Sequence, residues 1–149
     1  MERVLDRARL GADYVVLDVG TRTGPLALGA LDRIGADGLV IALNRSVDLL
    51  DELRDTCPDP RLSFLVGDAE VVPLPDASVD VVLGRAVLGS VRGEGGVAVE
   101  LRRVLRPRGR VSLFEPVEAE SANTWLAEAG FTEVDVERVP GVFLSGEKT

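Results

Sequence analysis

Apolar and polar positions alternate in texture along this chain. Short continuous apolar runs occupy residues 14–19, 39–44, 62–67, 79–84 and 110–115. Such runs read as strands buried on both faces, as in a parallel sheet. The segments between them carry apolar residues at helical spacing. Residues 2–10 and 25–34 predict two short helices, the second with Pro25 at its first position, where the missing N–H costs nothing. Ser46 caps a third helix that runs to about Cys57, with Val47, Leu50 and Leu53 on one face. Val97, Leu101, Val104 and Leu105 mark a fourth, which Pro107 and Gly109 are expected to end. Residues 121–129 predict a fifth, stopped by Gly130.

The C-terminal pattern differs. Residues 132–139, TEVDVERV, alternate polar and apolar, as a half-exposed strand near a sheet edge does. A last strand follows over 142–148, joined through Pro140 and Gly141. So tight a link predicts a hairpin, and therefore an antiparallel pair at the end of a parallel sheet. The whole reads as α/β: one domain over 1–149, a mostly parallel sheet with helices on both faces, and no linker or internal repeat.

Composition narrows the chemistry. Apolar residues make up 46% of 149, enough for one proper core. The formal net charge of −8 argues against nucleic acid as partner, since phosphate contacts need a basic face. The one basic cluster, Arg102, Arg103, Arg106, Arg108 and Arg110, reads as the solvated side of a helix and its following turn. Histidine is absent, which excludes His triads, His metal sites and a His base; no metal is expected. No apolar run reaches the roughly 18–20 residues that span a membrane, and the charged N-terminus lacks the apolar stretch of a secretory signal. With Cys57 as the single cysteine, a cytoplasmic location is expected.

The stretch VVLDVGTRTG, Val15 to Gly24, concentrates the functional signal. An apolar strand ends in an acidic residue, a glycine-bearing turn follows, and a helix opens. Such a turn presents backbone N–H groups and a helix N-terminus to a ligand.

Four segments together carry a family resemblance: VVLDVGTRTG; VIALNRS at the end of the second strand; GDAEVVPLPDASVDVVLGRAVL over 67–88; and LRRVLRPRGRVSLFEP over 101–116. AGFTEVDVERV near the C-terminus matches the usual family ending. In this order and spacing the chain resembles the class I S-adenosylmethionine-dependent methyltransferases, and within them the small-molecule group that includes the ubiquinone and menaquinone biosynthesis enzymes. The resemblance implies a Rossmann-like sheet of order 3-2-1-4-5-7-6, S-adenosylmethionine as cofactor and a small-molecule acceptor. It places Asp18 and Gly20 against the methionine part of the cofactor, with the backbone from Thr21 to Gly24 wrapped around it. Asn44, followed by Arg45, faces the ribose. Asp68 bonds the adenine amino group, Ala69 offers the ring an amide, and Gly84–Arg85 lie under the amino-acid end. For catalysis, placement alone offers Glu115 as a base and Arg85 as an orienting cation for an anionic substrate.

Three departures qualify the expectation. Arg22 stands at the middle glycine of the family turn, where it either crowds the cofactor or points to solvent. Asn44 replaces the usual carboxylate, which forfeits a charge-assisted hydrogen bond worth roughly 1–2 kcal/mol. The N-terminal helix is minimal and no substrate-cap insertion is present, so a homodimer or a heteromeric partner is expected to close the pocket. Two other readings stand beside the enzyme. One is a catalytically degenerate member serving as a binding or partner subunit. The other is an NADP-binding protein, with Arg45 on the 2′-phosphate.

Overall fold

A computed structural model describes residues 1–88, 96–116, 119–139 and 141–149, without the side chains of 119, 120 and 139. In chain order the elements are α1 (Glu2–Ala8), β1 (Val15–Val19), α2 (Pro25–Leu31), β2 (Leu39–Asn44), α3 (Val47–Thr56), β3 (Leu62–Val66), β4 (Val79–Arg85), α4 (Gly96–Val104), β5 (Leu105–Glu115), α5 (Ala119–Glu128), β6 (Phe131–Val139) and β7 (Gly141–Lys148). Seven strands form one sheet in the order β3-β2-β1-β4-β5-β7-β6. The first five are parallel, and β7 is antiparallel to both β5 and β6. Fold class, strand order and the closing hairpin are thus as expected; Pro140, in the hairpin link, lies outside the described residues.

Alternation along the strands divides the apolar side chains between two cores. Val16, Val40, Ala42, Val81 and Leu83 pack with α1, α2 and α3 on one face. Leu17, Val19, Leu43, Val82 and Leu113 pack with α4 and α5 on the other. Burial on both sides explains why the parallel strands read as unbroken apolar runs. β7 is also covered on both faces, by Leu144 on one side and Phe143 on the other, whereas β6 shows the polar alternation of an edge.

Ser46 caps α3 as expected, its Oγ accepting from Leu49 N at 3.3 Å. Polar contacts tie α1 down. Ser112 Oγ donates to Val4 O at 2.6 Å, Arg7 pairs with Asp135 and Glu137, and Arg3 pairs with Glu137.

Two expectations need correction. The fourth helix ends at Val104, before Pro107, because Leu105 already pairs with Val79 as the first residue of β5. The next paired residue is Arg110 opposite Val81, so residues 106–109 bulge out of the ladder, with Arg108 at φ 65°. The arginine cluster is also less solvated than its sequence suggests. Arg103 donates to the carbonyls of Val72 and Leu74 and pairs with Asp76 and Glu100, while Arg106 pairs with Asp80 and Arg110 with Glu147. Arg103 and Glu100, whose Oε2 accepts from Val72 N at 2.7 Å, therefore clamp the loop after β3 onto α4.

Candidate functional site

Strand order reverses between β1 and β4, and the carboxyl ends of β1, β2, β3 and β4 open there on a cleft. This is where open α/β sheets bind ligands. A cavity there has a volume of about 290 Å³. Gly20, Asn44, Arg45, Ala69 and Arg85 line it, with Arg22 and an apolar wall that includes Val19, Leu43, Leu49 and Val87. A second cavity of about 80 Å³ adjoins it, lined by Asp18, Thr21, Thr23, Pro25 and Leu26. Gly20, Arg22 and Arg85 line both.

The turn after β1 is held by its own backbone. Gly20 N and Thr21 N both donate to Leu43 O, at 2.9 and 3.0 Å, and Gly24 N donates to Thr21 O at 2.8 Å. Those three amides are therefore spent inside the fold. The amides of Arg22 and Thr23 make no hydrogen bond among the described residues, and they are what the turn can offer a ligand. Arg22 is exposed at φ 52°, left-handed geometry that fits a family glycine. Arg22 is at once exposed and among the residues lining the cleft.

Asp18 is buried at 1% exposure. Burial pushes its carboxyl up to about 6, against the opposing influence of Thr21 and the Ala27 amide. Its Oδ2 has no hydrogen-bond partner of full geometry, nor has Thr21 Oγ1. A buried polar atom beside a cavity is a place for a ligand's donor.

Other expected residues stand behind the cleft or at its rim. Gly24 opens α2 at φ 88°, and a Cβ there would lie 2.5 Å from Leu53 Cδ1; its requirement is packing against α3. Gly84 is similar, since a Cβ would meet Val87 Cγ2 at 2.5 Å. Asn44 Oδ1 accepts from Ser46 N at 2.9 Å, so its side chain shapes the entry to α3 as well as lining the cavity. Asp68 sits outside the lining. Its Oδ1 accepts from Glu70 N at 3.0 Å and its Oδ2 faces Arg45 Nε at 3.2 Å. Glu115 is buried, and its Oε1 accepts from Val87 N at 2.8 Å and Leu88 N at 3.0 Å. That contact ties the segment after β4, including the cavity-lining Val87, to the end of β5.

Sequence reading missed the apolar wall. Val19, Leu43 and Leu49 belong to ordinary strand and helix patterns, and nothing distinguishes a residue facing a cleft from one facing the core.

An adenosyl sulfonium cofactor fits these residues on two counts. Gly20, at φ 68°, has no protein atom within 4 Å of where a Cβ would stand, so that side of the turn is clear for a ligand. Asp18 Oδ2, which lacks a hydrogen bond of full geometry, is an acceptor in the adjoining cavity. Among the described residues no group of His, Cys, Asp and Glu could hold a metal ion.

A family described as a methyltransferase domain matches residues 17–113. The chain belongs to the class I S-adenosylmethionine-dependent methyltransferases. Among curated relatives of this family, a malonyl-[acyl-carrier protein] O-methyltransferase of Xylella fastidiosa is 36% identical over 106 residues, covering 68% of this chain and 35% of its own. A ubiquinone/menaquinone biosynthesis C-methyltransferase of Paraburkholderia phymatum is 32% identical over 111 residues, covering 73% and 46%. The methyltransferase chain thus spans less than half the length of either. A crystal structure of an S-adenosylmethionine-dependent methyltransferase from Aquifex aeolicus shares the fold, with a TM-score of 0.82 at 20% identity over 99% of this chain and 89% of that one. No described helix is long and apolar enough to cross a membrane.

Proposed function

We propose that this chain binds S-adenosylmethionine and transfers its methyl group to a small-molecule acceptor. The observation that carries the proposal is the junction of the two cavities at Gly20, where a clear turn, two unbonded amides and a buried carboxylate converge. The cofactor brings an already activated methyl donor, so the protein's task is alignment and exclusion of water.

Each residue then has a stated part. Ionised Asp18 accepts from the cationic amino-acid end, and the Arg22 and Thr23 amides bind its carboxylate. Gly20 gives that end room. Asn44 keeps its Nδ2 amide for a ribose hydroxyl, its Oδ1 being committed to Ser46. Asp68 accepts from the adenine amino group with Arg45 turned aside, and Ala69 lies along the ring. Glu115 holds Val87 in the wall. We read the chain as cytoplasmic, with a second copy or a different subunit covering the acceptor.

Thermal unfolding with S-adenosylmethionine, S-adenosylhomocysteine and NADP tests the proposal. At ~100 times its Kd a ligand stabilises by ~2.7 kcal/mol, several degrees for a chain this size. A rise with the first two supports methyl transfer. A rise with NADP alone overturns it, and no rise with any ligand favours the non-catalytic partner subunit.

A further inference from the structure

The larger of the two cavities at the cleft has a charge character opposite to the chain's. The whole sequence carries −8, yet among the described residues three arginines line this cavity and no acidic residue does. Arg45 has a carboxylate partner in Asp68. Arg22 and Arg85 form no salt bridge among the described residues, and both border the junction of the two cavities. The Arg85 guanidinium lies 5.7 Å from the Phe114 ring centroid, a contact that leaves its N–H edge available. Arg22 holds a backbone geometry that costs a non-glycine residue free energy.

The cofactor assigned under Proposed function does not balance this charge. Its sulfonium and ammonium outweigh its single carboxylate, so it enters as a net cation. Among the described residues Asp18 is the one acidic residue lining either cavity. Two arginines without a carboxylate partner among the residues common to both cavities disfavour a net cation unless an anion enters with it. We propose, resting on that cofactor reading, that the acceptor is itself an acid whose carboxylate or phosphate is gripped by Arg22 and Arg85. Planar guanidiniums bind both groups in bidentate fashion, which fixes orientation as well as affinity. The acid group is the handle that orients the acceptor beside the methyl donor. It also makes binding of cofactor and acceptor mutually favourable, because each relieves the other's charge.

Calorimetric titrations of the full chain test this with malonate, inorganic phosphate and neutral malonamide at constant ionic strength. They are run on protein saturated with S-adenosylhomocysteine and on protein without it. Malonate or phosphate should bind the saturated protein and malonamide should not; the tighter anion tells carboxylate from phosphate. Arg85→Gln alone, and together with Arg22→Gln, should weaken the anion by about tenfold or more, the scale of a lost charge-assisted hydrogen bond. Arg54→Gln, outside the cleft lining, should bind like wild type.

Absence of binding by both anions, or binding that survives the double substitution, overturns the proposal. So does a loss of S-adenosylhomocysteine affinity in the double variant with 5′-methylthioadenosine affinity unchanged, for the arginines would then serve the cofactor's own carboxylate. Anion binding without any S-adenosylhomocysteine binding would instead sink the cofactor reading and leave the anion site standing.

Discussion

Arg45 Nε lies 3.2 Å from Asp68 Oδ2, linking the residue after β2 to the loop after β3. Both side chains are substantially exposed, so the pair contributes at most ~1 kcal/mol to stability. Its consequence is competition for one carboxylate. Asp68 Oδ1 is already fixed by Glu70 N, and Arg45 occupies the oxygen that an adenine amino group would need.

Substituting Asp68→Ala should therefore leave thermal stability nearly unchanged while weakening S-adenosylhomocysteine by roughly tenfold or more, as expected of a lost hydrogen bond to a charged group. Arg45→Gln should tighten the same ligand, because the carboxylate is freed. Calorimetric titration of both variants checks the opposed signs. Equal weakening in the two would mean that Arg45 itself holds the ligand.

Asp18 predicts a pH dependence of unusual sign for a carboxylate. Its folded pKa, about 6, lies above the ordinary value of 3.8. Between those values the folded state binds more protons than the unfolded state. Stability from this group is thus fully present below about 4 and falls as pH rises through 6. The change is on the order of 3 kcal/mol, since each unit is worth about 1.36 kcal/mol. Glu100 and Asp59 are held below their usual range by Arg103 and Arg61 and act in the opposite direction at acid pH. Chemical denaturation of wild type and Asp18→Asn at several pH values isolates Asp18 as the difference. That difference should shift in favour of the variant from pH 4 to pH 7. A constant difference would show that Asp18 does not titrate in this window.

Glu115→Ala should destabilise the fold by about 2–4 kcal/mol, because Val87 N and Leu88 N lose a buried acceptor. Glu115→Gln keeps one amide-accepting oxygen and should recover part of the loss. Turnover with saturating acceptor should follow the same order, since the wall at Val87 is what Glu115 positions. A Gln variant with full stability and no turnover would instead identify Glu115 as a base.

Arg22→Gly removes the left-handed strain, worth ~1–2 kcal/mol, and adds glycine's entropic cost of roughly 0.5–1 kcal/mol. Stability should rise slightly or stay level in urea denaturation. A marked fall would mean that the Arg22 side chain braces the turn.

The sheet was legible because β1 to β5 are buried on both faces and the β6–β7 link is too short for anything but a hairpin. The start of β5 was not. Pro107 and Gly109 are helix-stopping signals, yet here they sit in a bulge within a strand, and only the pairing of Leu105 with Val79 reveals that. At the site, the sequence marked Asp18, Gly20, Asn44, Ala69 and Arg85, all of which line the cleft. It could not show that Leu43 O consumes the Gly20 and Thr21 amides, since a carbonyl in a strand looks like any other. Nor could it separate Gly24, required by Leu53, from Gly20, which faces open space. Arg45 and Asp68 are 23 residues apart in sequence, and their meeting depends on β2 and β3 being neighbours.

The most direct measurement is a crystal structure of the chain grown with S-adenosylhomocysteine. The ligand should lie across the carboxyl ends of β1, β2 and β4, its amino-acid end beside Asp18 and the Arg22 and Thr23 amides, and its adenine between Ala69 and Leu43. A cleft filled by the Arg22 guanidinium, with no nucleoside bound, would contradict the account.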